Sequence, residues 1–158
     1  LEKLKRLSEL KLHSIEQPIM PGQWSTMAEL VAQSPLDIAL DEELIGLYTE
    51  EKKCRMIDEI KPDYLILKPS LIGGFDRAKQ WIDWAENRDI GWWVTSALES
   101  NIGLNAIAQF TASKSRSMPQ GLGTGSLYLN NIPSPLVVKQ AKLYYDLGQQ
   151  WSFNFLNL

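Results

Sequence analysis

Short apolar runs alternate with amphipathic stretches along this chain at a nearly constant period, and that period limits the folds open to it. Five runs have strand length: "LHSI" (12–15), "DIAL" (37–40), "YLIL" (64–67), "GWWVTS" (91–96) and the weaker "SLYL" (126–129). Their unbroken apolar character suits strands covered on both faces, as in a parallel sheet. Helical patterns fill the intervals. "WSTMAELVAQS" (24–34) offers Ser25 or Thr26 as N-cap and puts Met27, Leu30 and Val31 on one face. "TEEKKCRMIDEI" (49–60) carries acids in its first turn, which suits the helix dipole. "FDRAKQWIDWAENR" (75–88) spaces Ala78, Trp81, Ile82 and Ala85 by threes and fours, and "NIGLNAIAQFTASKS" (101–115) does the same with Leu104, Ile107, Ala108 and Thr111.

Strand–helix alternation predicts βα units on a parallel sheet. The intervals from Glu16 to Asp41, Asp41 to Lys68 and Lys68 to Ser96 are 25, 27 and 28 residues. An eight-unit (β/α) barrel takes roughly 31 residues per unit, so the 158 residues hold four to five units, part of a barrel. After Asn130 the rhythm stops. "SPLVVKQAKLYYD" (134–146) suits a hairpin turning near Gln140–Ala141, or alternatively a helix from Pro135.

The overall chemistry is ordinary. Hydrophobic residues make up 44% and charged residues 22%, enough for a sizeable core. A net charge of −3 with no basic cluster argues against a nucleic-acid surface. The run "TEEKKCR" (49–55) mixes both signs and reads as a solvated helix face, with Cys54 an unremarkable helix residue. One cysteine permits no intrachain disulfide, which fits a reducing compartment, and no run reaches the ~20 apolar residues of a membrane helix. The opening "LEKLKRLSELK" is amphipathic and starts without methionine, as a chain entered in mid-helix would.

The residues just past each strand are more telling. After "LHSI" comes Glu16; after "DIAL" come Asp41, Glu42 and Glu43; after "YLIL" comes Lys68; "WWV" ends in Thr95 and Ser96, with Glu99 just beyond; and "QGLGTGS" (120–126) precedes the weakest run. Parallel strands would deliver all of these to one rim, where barrel active sites lie. Acids from neighbouring strands can share a hard cation that polarises a substrate carboxylate, and a lysine one strand on can exchange a proton or meet developing negative charge. The glycines after Lys68 let the loop turn away without blocking that space, and "GLGTG" offers backbone N–H groups to an anion. Each feature has a plainer reading alone. Glu16 or Asp41 suits a helix cap, Lys68 a snorkelling surface lysine, His13 a structural role and the tryptophans core packing, although Trp93 lies close enough to a strand end to border a pocket.

In order and spacing, "SIEQPI", "IALDEEL", "LILKPSLIGGF", "VTSALESNIGLNAIAQFTA" and "QGLGTGSLYLNNI" resemble the enolase superfamily, and within it the family of o-succinylbenzoate synthases, over about residues 1–136. The resemblance implies an α/β fold: a partial TIM barrel, its fourth to eighth strands within residues 1–130, lacking the capping domain, with 131–158 a tail that would pack on that domain. It also implies Mg2+ (or Mn2+) held by Glu16 and Asp41, and Lys68 as a catalytic residue whose charge faces the reacting ring. Thr95, Ser96, Glu99, Gly121, Gly123 and Thr124 would contact the substrate's succinyl group. The implied reaction is loss of water from 2-succinyl-6-hydroxy-2,4-cyclohexadiene-1-carboxylate through an enediolate, a cytoplasmic step of menaquinone biosynthesis. N-succinylamino acid racemases and dipeptide epimerases share this layout. A half-barrel kept only for interaction is a further alternative.

The family's lysine pair on the second strand and aspartate on the third would precede Leu1, so the chain is expected to be a fragment, inactive alone and short of one metal ligand. Its open sheet edges would favour association with the N-terminal half or another copy. With that half present, Lys68→Ala is expected to abolish turnover with little loss of folding. The partner is a small carboxylate, with neither nucleic acid nor membrane.

Overall fold

The computed structural model describes residues 1–114 and 118–154 and divides them into two compact units, Leu1–Trp93 and Val94–Leu158. The first unit opens with helix α1 (Glu2–Ser8) and then alternates strands with helices: β1 (Ile15–Glu16), α2 (Trp24–Gln33), β2 (Ile38–Leu40), α3 (Glu50–Ile60), β3 (Tyr64–Leu67), a short α4 (Pro69–Ile72) leading into α5 (Gly74–Glu86), and β4 (Gly91–Val94), whose last residue belongs to the second unit. The strands form one sheet in the order β1-β2-β3-β4. Both described ladders are parallel: Ile15 pairs with Ile38 and Glu16 with Ala39, then Ala39 with Tyr64 and Leu40 with Leu65. Sequential neighbours joined by crossover helices are what the period predicts.

The core lies between this sheet and its helices. Ile38, Ala39, Leu40, Leu65, Ile66 and Leu67 are buried, as are Met27, Met56, Ile57, Ile60, Ala78, Trp81, Ile82 and Ala85 from the helices. All four positions spaced by threes and fours on α5 are therefore core positions. Two details of the helices differ from the sequence reading. Helix α2 starts at Trp24 with Gln23 in the cap position, so neither Ser25 nor Thr26 caps it. Helix α3 is capped by the Thr49 side chain, which accepts from the Lys52 N–H, and its charged run is not solvated throughout. Lys53 is buried, its ammonium 5.4 Å from the Trp81 ring centroid and 5.6 Å from that of Trp84. Aromatic faces accept a cation that its lost water would otherwise solvate.

Strand β1 is shorter than the apolar run. Its ladder begins where the Ile15 N–H donates to the Asp37 carbonyl, so Leu12–Ser14 have no strand to pair with. Gly91 opens β4 because the Tyr64 ring lies where its Cβ would be. His13 packs against Tyr64 and Trp93, with centroids 4.7 and 6.2 Å away, the structural part expected of it.

In the second unit Thr95 forms a parallel bridge to Gly121, and the chain carries helix α6 (Asn101–Lys114), a 3₁₀ turn at Thr124–Ser126 and the antiparallel pair β5 (Leu136–Lys139) and β6 (Lys142–Tyr145). Leu104, Ile107 and Thr111 are the buried face of α6, while Ser115, at the end of the expected helix, lies outside the described residues. No strand forms at 126–129: contact with Thr95 is already made at Gly121, and Leu127, Tyr128 and Leu129 are exposed. The hairpin turns at Gln140 and Ala141, both with left-handed φ (49° and 57°), as a two-residue turn between twisted strands requires. Residues 155–158 of the tail lie outside the described part.

Candidate metal and lysine site

Three strand ends of the first unit meet at one place. β1 delivers Glu16 and stops at Gln17, whose φ of 37° turns the chain aside before Pro18, which has no N–H to extend the ladder. β2 delivers Asp41 and passes straight into a 3₁₀ turn over Glu42–Leu44, closed by the Leu44 N–H on the Asp41 carbonyl at 3.0 Å. β3 delivers Lys68, held extended by the proline after it, at the start of α4. Gly73 and Gly74, both with left-handed φ (102° and 85°), make the bend from α4 into α5. That is the turn the glycines after Lys68 foretold.

The Lys68 ammonium forms an ion pair with the Asp41 carboxylate, which is buried, and lies 3.9 Å from Glu16 Oε1. Glu16, Asp41 and Glu42 each offer a carboxylate oxygen within 4.8 Å of the others. Burial, then the hydrogen bond and charge of Asp41, and finally the charge of Glu42 push the Glu16 carboxyl up to about 7, against the opposing pull of Lys68. One ammonium thus leaves three crowded acids short of positive charge. Three hard oxygen donors at this spacing fit a small divalent cation. Glu42 is the addition here: the run "DEEL" held the signal, but only the 3₁₀ turn shows which of its two glutamates lies beside Asp41.

Glu43 is not part of that cluster. It is buried the other way, accepting from the Trp24 indole N–H (2.7 Å), the Gly22 N–H (2.8 Å) and the Gln17 amide (3.3 Å). Trp93 borders Tyr64, with centroids 5.7 Å apart, in the aromatic cluster with His13.

The remaining expected residues lie in the second unit. Thr95 Oγ1 donates to the Gly121 carbonyl (2.9 Å), and the Gly121 N–H donates to Val94 O (2.8 Å). Gly121 has no room for a Cβ because Thr95 fills it. Ser96 Oγ donates to Glu99 and accepts from the Leu98 N–H at 3.0 Å. These two hydroxyls are therefore engaged within the loop. Gly123 is exposed, and the Thr124 hydroxyl is buried with no hydrogen-bond partner among the described residues.

A parallel α/β unit that gathers acids and a lysine at its strand tips belongs to the (β/α)-barrel class of proteins, whose sites lie at that end of the strands. Comparison with known proteins narrows that class. The family model "Enolase C-terminal domain-like" matches residues 1–151, and the chain belongs to that family of the enolase superfamily. Members of the superfamily use a divalent metal.

An o-succinylbenzoate synthase from Desulfotalea psychrophila is 64% identical over 137 residues, covering 87% of this chain and 37% of that protein. The crystal structure of MenC from the same organism superposes with a TM-score of 0.87 at 63% identity, over 90% of this chain and 40% of that one. An N-succinylamino acid racemase from Thermus thermophilus is 33% identical over 103 residues, 65% of this chain and 27% of that protein. The chain thus spans under half the length of the relatives it matches. The fold expectation, part of an enolase-superfamily barrel, holds. No helix among the described residues is long and apolar enough to cross a membrane.

Proposed function

We propose that this chain carries the metal-and-lysine side of an o-succinylbenzoate synthase active site, a lyase that removes water from 2-succinyl-6-hydroxy-2,4-cyclohexadiene-1-carboxylate. The observation that carries the reading is the convergence of Glu16, Asp41, Glu42 and Lys68, within a sequence 64% identical to a synthase. Glu16, Asp41 and Glu42 would hold the cation, Mg2+ or Mn2+, which supplies positive charge opposite the substrate's carboxylate. Lys68 keeps its ammonium beside Asp41 and offers a second positive charge where negative charge develops. Proton removal from the substrate is assigned to lysines in the part of the relatives that this chain does not span.

The succinyl group is assigned to the second unit's Thr95, Ser96, Glu99, Gly121, Gly123 and Thr124. Thr124 has the strongest support, because its hydroxyl has no partner among the described residues, whereas Thr95 and Ser96 already bond to Gly121 and Glu99. The reading carries with it a cytoplasmic location, a small carboxylate substrate and residues 131–158 as a tail against a capping domain. Exposed Val138, Tyr144, Tyr145 and Leu147 in and just after the hairpin support that last part. The 33% identity to a racemase supports one alternative, inversion of N-succinylamino acids at the same site.

The test is a chimera of the Desulfotalea psychrophila synthase in which the matching 137-residue segment is replaced by that of this chain. Formation of o-succinylbenzoate, followed by its absorbance, is expected. A folded chimera that makes no aromatic product refutes the proposal, and one that only inverts N-succinylamino acids establishes the alternative.

A further inference from the structure

The proposed function accounts for Glu16, Asp41, Glu42 and Lys68 but leaves unused the most heavily bonded polar side chain nearby. Gln17 comes directly after Glu16, and its amide makes four hydrogen bonds. Its Nε2 donates to the Ile19 carbonyl (3.0 Å) and to Glu43 Oε2 (3.3 Å). Its Oε1 accepts from the Asp41 N–H (3.1 Å) and the Glu43 N–H (3.3 Å). Its backbone N–H continues the ladder onto the Ala39 carbonyl at 2.9 Å. A left-handed φ of 37° costs a non-glycine residue roughly 1 kcal/mol or more, and such a conformation persists only where its surroundings over-determine it.

Glu43 completes the arrangement from the other strand tip. Its Oε1 collects the Gly22 N–H and the Trp24 indole N–H, so the loop after β1 and the first residue of α2 are tied to the turn after β2. Three donors satisfy the buried carboxylate, which without them would carry a large desolvation cost. Between them, Gln17 and Glu43 span the gap between the two loops that carry Glu16 and the Asp41–Glu42 pair. Glu43 lies outside the cluster of carboxylate oxygens from Glu16, Asp41 and Glu42, and the Gln17 Oε1 is taken by the Asp41 and Glu43 N–H groups.

We infer that Gln17 and Glu43 are positioning residues that set the spacing of Glu16, Asp41 and Glu42, and so the affinity of the site for a divalent cation. The inference rests on the proposed metal site and deepens it. Groups that orient metal ligands typically cost about 10–100-fold in metal affinity when removed. Losing Gln17 would leave the Asp41 and Glu43 N–H groups without their acceptor, and the turn would relax away from Glu16. This differs from a purely structural role, which would lower stability and leave the folded protein's metal affinity alone.

The experiment measures Mn2+ affinity in the full chain by electron paramagnetic resonance of the free ion, beside thermal unfolding without metal. Gln17→Met keeps the charge and nearly the shape. Trp24→Phe removes one donor to Glu43, again without changing charge, so any loss reports ligand placement rather than Coulomb attraction. Gln17→Met is expected to weaken Mn2+ binding about 10–100-fold and Trp24→Phe by a smaller factor, both variants remaining folded. Unchanged affinity in folded Gln17→Met, while Asp41→Asn loses binding, overturns the inference and leaves the metal site standing. Should Gln17→Met not fold, Trp24→Phe decides by the same criterion. An unaltered protein that does not bind Mn2+, and in this matches Asp41→Asn, overturns the metal site and the inference together.

Discussion

Two lysines of the first unit are removed from water in opposite ways. Lys68 stands at a strand tip, one-fifth exposed, with the buried carboxylate of Asp41 as its partner and Glu16 close by. Lys53 sits in the helix layer, buried against Trp81 and Trp84, and no ion pair to it is found among the described residues. Burial first, and then the nearby Arg77 charge, hold its pKa below the ordinary lysine value, with Glu50 opposing. An ammonium answered by carboxylates lies in an open site, where a substrate or a cation can compete for those carboxylates. An ammonium answered by ring faces is committed to packing α3 against its neighbours. Chemistry belongs to the first kind of site, and substitutions at the two positions should separate them.

The largest effect is expected at Lys68. In the synthase chimera, Lys68→Ala should lower turnover by roughly 10³-fold, within the range of a lost charge at the reacting centre. It should also destabilise the protein, contrary to the expectation from sequence. Asp41 is buried, and removing the partner of a buried charge costs about 3 kcal/mol. Urea unfolding with and without Mg2+ checks both halves of the comparison: the deficit should shrink when a divalent cation is present. A Lys68→Ala chimera with unimpaired turnover would place Lys68 in the same class as Lys53.

Much of this contrast was legible in the sequence. Strand tips are periodic, so a residue just past each apolar run declares where it will stand, and Glu16, Asp41 and Lys68 were found that way. The turn at Gln140–Ala141 was readable from the break between two short strand runs. Lys53 was missed because a run of mixed charge looks solvated, and nothing local reports that helix α5, three elements later, brings tryptophans over it. Gln17 was missed for a related reason: three of its four amide hydrogen bonds reach across to residues 41 and 43, and a single sequence does not display such long-range geometry. The extra strand expected at 126–129 failed because its pairing was already made at Gly121.

Lys53 should make stability depend on pH. A folded pKa depressed below the unfolded value means that the unfolded chain holds the extra proton between the two. Stability therefore rises with pH from the depressed value up to the ordinary value of 10.5. Lys53→Met keeps the stem's volume and removes the titration, so the difference between unaltered protein and Lys53→Met should narrow as pH climbs through that window. Lys53→Ala adds a cavity and should cost about 2 kcal/mol at neutral pH. Denaturant melts at several pH values measure both. A flat difference across the window would mean that the ring faces offset the burial of this ammonium, and that the Lys53 pKa is not depressed.

The smallest effect marks the exposed end of the same scale. Arg88 meets Asp58 through its Nε at 2.7 Å and its Nη2 at 3.3 Å, with the Asp58 side chain 58% exposed. The hydrogen bond from Arg88 holds the Asp58 carboxyl below its ordinary value, with burial opposing and the Arg88 and Lys61 charges assisting. A depressed carboxyl contributes stability that is present above its unfolded value of 3.8 and lost as pH falls through the folded one. Water screens so exposed a pair, and Asp58→Asn should cost no more than about 0.5 kcal/mol at neutral pH, shrinking further in high salt. A cost approaching that of Lys68→Ala would show that exposure, rather than the identity of the partner, is the wrong axis on which to rank the charges of this molecule.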